Sequence, residues 1–175
     1  MTPEKSIHAL YRRLLELGEI LRNVRTTVVE DKPRYEDRAL ADHFGDGLDD
    51  MLGWLEQGLA ALLEGREASA GEIGRSASWQ ALGCCHRHFN CLEQCYLELI
   101  SYRRLDSLVR LGQRESGEWQ AWVETVRSGL GEAGPAMAQV RQDLLTCWQE
   151  LASNPGGEPI LVQNSVVSQQ IRLPR

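Results

Sequence analysis

An apolar heptad runs through both ends of this 175-residue chain. It passes through Ile7, Leu10, Leu14, Leu17, Leu21, Val24 and Val28, and returns through Trp119, Val123, Val126, Leu130, Ala133, Met137, Val140, Leu144, Cys147 and Leu151. Steps that alternate between three and four residues place each set on one stripe of an α-helix, and a stripe of that kind has to be buried along other helices. The chain is therefore expected to be all-α.

The breakers divide it into four helices. Thr2 before Pro3 suits a helix start, and Glu30-Asp31-Lys32-Pro33 suits a stop, so the first helix is expected over 3–29. A second is expected over 35–63, with Leu40, Phe44, Leu48, Met51, Leu52, Leu55, Leu59 and Leu62 inward and Asp42, Asp46, Asp49 and Glu56 facing water. Two glycines and several small polar residues between Gly65 and Gly74 read as a turn. The third helix is expected to be long, over 73–111, and to fray near Gly83. Its apolar face is broad: Cys84, His88, Cys91, Cys95 and Tyr102 form one buried edge beside Leu82, Cys85, Phe89, Leu92, Tyr96 and Leu99. The fourth helix is expected over 118–152. It contains Gly129, Gly131, Gly134 and Pro135, yet the heptad keeps its phase across them, so one helix kinked near Gly134-Pro135 is expected rather than two.

Beyond Ser153-Asn154-Pro155-Gly156-Gly157 the composition changes to β-branched and aliphatic residues interleaved with Gln, Asn and Ser. The expected architecture is thus four long antiparallel helices in an up-down-up-down bundle (residues 1–152), followed by an extended C-terminal tail (153–175). With the third and fourth helices longest, their ends are expected to project beyond the first two. Projecting apolar surface seeks a partner.

The charge balance, 19 basic against 25 acidic residues with a net charge of −6, argues against a nucleic-acid binder, which needs a concentrated cationic face. There is no apolar run long enough for a bilayer span and no signal-peptide pattern, so a cytoplasmic location is expected. Five cysteines, four of them between positions 84 and 95, fit a reducing compartment better than a disulfide framework.

Cys84, His88, Cys91 and Cys95 share one helical stripe of soft ligands. Cys84 and Cys95 stand roughly 16 Å apart along a helix axis, too far for one tetrahedral ion. A metal or redox site would need help from elsewhere, for instance Cys147, His8 or His43. The Cys91/Cys95 pair resembles in outline the cysteine lining of copper(I)-storing four-helix bundles, but one pair is far sparser than that family requires. Packing as small hydrophobes is the expected role, and no cofactor is expected.

Gly129-Leu130-Gly131-Glu132-Ala133-Gly134 spells the dinucleotide fingerprint, but a helical heptad precedes it where a strand is required. No histidine follows a glutamate at the di-iron spacing, and neither a nucleophile elbow nor a phosphate loop is present. His8, His43 and His86 read as surface or half-buried residues. Of the five tryptophans, Trp54 and Trp122 lie at stripe margins and read as interface anchors. The expectation is a non-enzymatic interaction or assembly module that binds protein partners, including copies of itself, through Trp54, Trp122 and the tail residues Ile160, Val162, Val166, Val167 and Ile171. The alternative is a metal or redox bundle built on the cysteine stripe. A ligand pocket beside the Gly129–Pro135 segment is a third reading.

Overall fold

The computed structural model describes residues 3–30, 38–67, 72–101, 110 and 117–153. Four long helices occupy all of these but Glu30, Ile100, Ser101 and Arg110: α1 (Pro3–Val29), α2 (Arg38–Glu67), α3 (Glu72–Leu99) and α4 (Gly117–Ser153). Contacts between neighbours pair rising residue numbers with falling ones. Across α1 and α4, Ser6 meets Glu150, Arg13 meets Asp143, Val24 meets Gly129 and Thr27 meets Trp122. Between α1 and α2, Gly18 meets Leu55 and Arg25 pairs with Asp49, and between α2 and α3, Gly47 meets Leu99, Trp54 stacks on His88 and Gly65 meets Ala81. Every neighbouring pair is antiparallel, which makes the fold the expected up-down-up-down bundle.

The heptad residues of α1 and α4 form the core. Leu10, Leu14, Leu17, Leu21, Val24 and Val28 are buried against Val126, Leu130, Ala133, Met137, Val140, Leu144, Cys147 and Leu151, with Phe44, Leu48, Met51, Leu55 and Leu62 entering from α2. The helix α4 continues unbroken through Pro135. Proline has no N–H, so the Gly131 carbonyl four residues back lacks its helical donor. Both residues face solvent, where water can serve that carbonyl.

Two glycines, Gly129 expected inside the fourth helix and Gly65 expected in a turn, are contact points. A methyl group on Gly129 would collide with Val24 of α1, and one on Gly65 would collide with the Ala81 methyl of α3. Gly65 therefore belongs to α2, which runs on to Glu67 rather than turning after Leu63. Removing the side chain lets two backbones approach more closely than any other residue allows.

The helix α3 is shorter than its sequence pattern implies. It ends at Leu99, where the Ser101 N–H reaches back only three residues to the Glu98 carbonyl (3.3 Å). β-Branched Ile100 followed by Ser101, whose hydroxyl competes for backbone groups, is a poor continuation of a helix. At 28 residues α3 is shorter than α2, at 30, and α4, at 37, is the longest helix described. Gly83 lies inside α3 without fraying it.

The four seams differ. The α1 helix lies close along both α2 and α4, and α2 close along α3, whereas the backbones of α3 and α4 meet at few points. Large side chains bridge that wider gap. Trp79 and Trp148 rings sit 4.9 Å apart, the Tyr96 hydroxyl donates to the Leu130 carbonyl (2.8 Å), and Arg141 lies over the Phe89 ring at 5.6 Å while donating to Glu93 and Asn90. The expected tail, with Ile160, Val162, Val166, Val167 and Ile171, lies outside the described residues, as does Tyr102.

Candidate functional site

On α1, Ile20, Asn23, Val24 and Thr27 follow the spacing of one helix face, and on α4, Thr125, Ser128, Gly129 and Glu132 repeat the same spacing. Together with Glu124 these residues line an open groove of about 410 Å³. It is shallow and open, with Val24 packed directly against Gly129 at its base.

The groove is one-sided in charge: the charged residues that line it are both glutamates. Thr27 donates its hydroxyl to the Asn23 carbonyl (3.2 Å) and Thr125 donates to the Ala121 carbonyl (2.9 Å), so both present only lone pairs outward. Glu124 and Glu132 stand exposed on its α4 side, and Ile20 and Val24 provide an apolar floor. Asn23 and Ser128 can donate as well as accept, but the charged side chains in the lining are both carboxylates, which suits a ligand that brings cationic donors on an apolar body.

Trp122 closes one end of this seam. It is 4% exposed, and its indole N–H donates to the Thr27 carbonyl (2.8 Å), one of the carbonyls that α1 leaves unbonded at its C-terminus. The sequence reading made it a surface anchor; the structure makes it internal. Trp54 is half-buried, stacked on His88 at 5.6 Å and 25°. It retains an exposed edge on the outer face of the α2–α3 seam.

The cysteine stripe also moves. Cys91 is exposed, and Cys84, His88 and Cys95 are half-exposed, so the stripe forms the rim of α3 rather than its buried face. The inward face lies about 100° round the helix, one residue on, and carries Cys85, His86, Phe89 and Leu92. Among the described residues no three His, Cys, Asp or Glu side chains converge on a point that could hold a metal ion. Burial raises the Cys85 thiol to about 12, reinforced by Cys147 and Cys84, and burial likewise raises Cys147 to about 12, reinforced by Glu150 and Asp143. Thiols held there carry negligible thiolate near neutral pH. With limiting iodoacetamide at pH 7.5, peptide mass spectrometry should find Cys91 alkylated first and Cys85 and Cys147 modified only after denaturation; early labelling of Cys85 would mean that α3 is rotated from the orientation described.

His86, expected near the surface, is 4% exposed beside Trp148, with ring centroids 6.4 Å apart. His8 and His43 are exposed. The His86 Nδ1 and the indole nitrogens of Trp79 and Trp148 are buried and have no hydrogen-bond partner among the described residues. Burial lowers the imidazole's affinity for a proton, Arg141 lowers it further, and Glu93 partly opposes both. The unfolded chain therefore binds the proton more readily, starting at its ordinary value of about 6.5, and stability should fall as pH drops below that value towards the lower folded one. Urea midpoints measured between pH 7.5 and pH 5 should decline less steeply for His86→Phe than for the native chain. Parallel slopes would place His86 in contact with solvent.

Fold and site together define the chain as an all-α four-helix bundle with an acidic interhelical groove. No family model, curated protein or solved structure matches it. Among the described residues no helix is long and apolar enough to cross a membrane.

Proposed function

We propose that this protein is a non-enzymatic interaction module, an adaptor or assembly component whose α1–α4 groove receives a segment of a partner protein. The observation that carries this reading is the groove itself: two matched helical faces of short side chains over Ile20 and Val24, rimmed by Glu124 and Glu132. Helix-lined grooves with an apolar floor bind amphipathic segments, and charge on the rim selects among them and speeds encounter. The fitting partner presents Lys or Arg on either side of aliphatic residues. The five free cysteines suit a reducing, cytoplasmic setting for such a module.

Capture experiments should compare the native chain with Glu124→Lys/Glu132→Lys. Both glutamates are exposed, so the variant should keep its helical signal and its melting temperature. It should retain at least tenfold less of a partner that the native chain captures stoichiometrically. Equal capture of the same proteins by both chains would remove the groove from the function.

A further inference from the structure

We infer that the groove has an occupant within the chain itself: the segment Ile171-Arg172-Leu173-Pro174-Arg175, docked so that an outside partner has to displace it. This inference rests on the groove being a binding surface and goes beyond that reading by naming its resident ligand. Three features converge on it.

The first is chemistry. The groove offers Glu124 and Glu132 above Ile20 and Val24, and the segment offers Arg172 and Arg175 among Ile171, Leu173 and Pro174. Within residues 154–175 these two arginines are the only Lys or Arg side chains, and they flank the aliphatic Leu173. Charged groups of opposite sign over a shared apolar floor are the arrangement that fixes register.

The second is spacing. Glu124 and Glu132 lie roughly 12 Å apart along the helix axis at 1.5 Å per residue. Leu173 precedes a proline, which disfavours helix and favours polyproline geometry, where every third side chain returns to the same side at roughly 3.1 Å per residue. Arg172 and Arg175 then share one side about 9 Å apart, within reach of both carboxylates given the length of arginine. Pro174 also withholds a backbone donor, so the segment is a poor strand and is suited to a side-chain-lined groove.

The third is reach. From Ser153 back to the level of Gly129 is roughly 36 Å along α4. Pro155-Gly156-Gly157 permits the reversal, and Glu158 to Ile171 in extended form covers roughly 43 Å. The tether is long enough to deliver Ile171 and Arg172 to the groove. Docking within one chain also benefits from a high effective concentration that a partner lacks.

Hydrogen exchange of the full chain, followed by mass spectrometry over residues 158–175, tests this directly. The expected result is at least tenfold slowing of amide exchange at Arg172, Leu173 and Arg175 relative to the free peptide of the same sequence, unchanged on hundredfold dilution. Glu124→Lys/Glu132→Lys should abolish that slowing, and adding Arg172→Glu/Arg175→Glu to the same chain should restore it. Peptide-like exchange in the native chain, or failure of the charge swap to restore protection, overturns the inference. Protection lost on dilution overturns it in favour of docking between two copies. If the lysine variant loses its captured partner while the native tail exchanges freely, the groove binds partners and the tail is not its ligand; the two claims thus fail separately.

Discussion

Leu17→Asp and Leu130→Asp should each leave the chain unfolded at 25 °C. Leu17 is fully buried on α1 and Leu130 is 2% exposed on α4, both inside the core. An aspartate at either place would put a carboxylate in an apolar interior, and no cation among the described residues pairs with either leucine's position. Such a burial costs on the order of 4–5 kcal/mol or more, a large share of the roughly 5–15 kcal/mol that holds a folded domain together. Circular dichroism should show loss of helix and loss of a cooperative melt. A variant that stays folded with an unchanged midpoint would place that residue outside the core.

Alanine substitution at glycine should produce opposite effects at two kinds of site. Replacing a helical glycine by alanine normally stabilises by about 0.5–1 kcal/mol, and this is the expected outcome at Gly53, around which there is open space. At Gly129 the new methyl meets Val24, a β-branched residue with little rotamer freedom, and at Gly65 it meets Ala81, which has none to offer. Only backbone movement relieves either collision. Overpacking of this kind costs about 1–3 kcal/mol and outweighs the propensity gain. Urea midpoints should rise for Gly53→Ala and fall for Gly129→Ala and Gly65→Ala. A rise at Gly129 would show that α1 and α4 do not approach there.

The heptad made α1 and α4 legible almost residue by residue, because a narrow stripe leaves one rotational solution. Broad faces do not. In α3 apolar residues occupy adjacent angles, so Cys84/Cys91/Cys95 and Cys85/Phe89/Leu92 satisfy helical periodicity equally well. Which edge is buried depends on where α2 and α4 lie, so the sequence pattern alone does not separate the cysteine rim from the interior or place His86 within it. Glycine was ambiguous in the same way: Gly65 near polar residues has the composition of a turn, and only the facing Ala81 identifies it as a close contact. The end of α3 carried a faint signal in Ile100-Ser101 but no proline or glycine. The groove followed from two separated faces of short side chains, Ile20 to Thr27 and Thr125 to Glu132. Each is unremarkable alone, and their meeting is set by antiparallel register.

The unequal seams also bear on the order in which the bundle assembles. The helices α2 and α3 are joined by the short link 68–71 and touch closely through Gly65, so their contacts span little sequence and should form early. The contact between α1 and α4 brings together residues as distant as Ser6 and Glu150, a loop whose closure is entropically slow. The groove is built from that late contact alone. Its lining is therefore completed only when the last helix docks, and a nascent chain has no such groove until almost the whole bundle has left the ribosome.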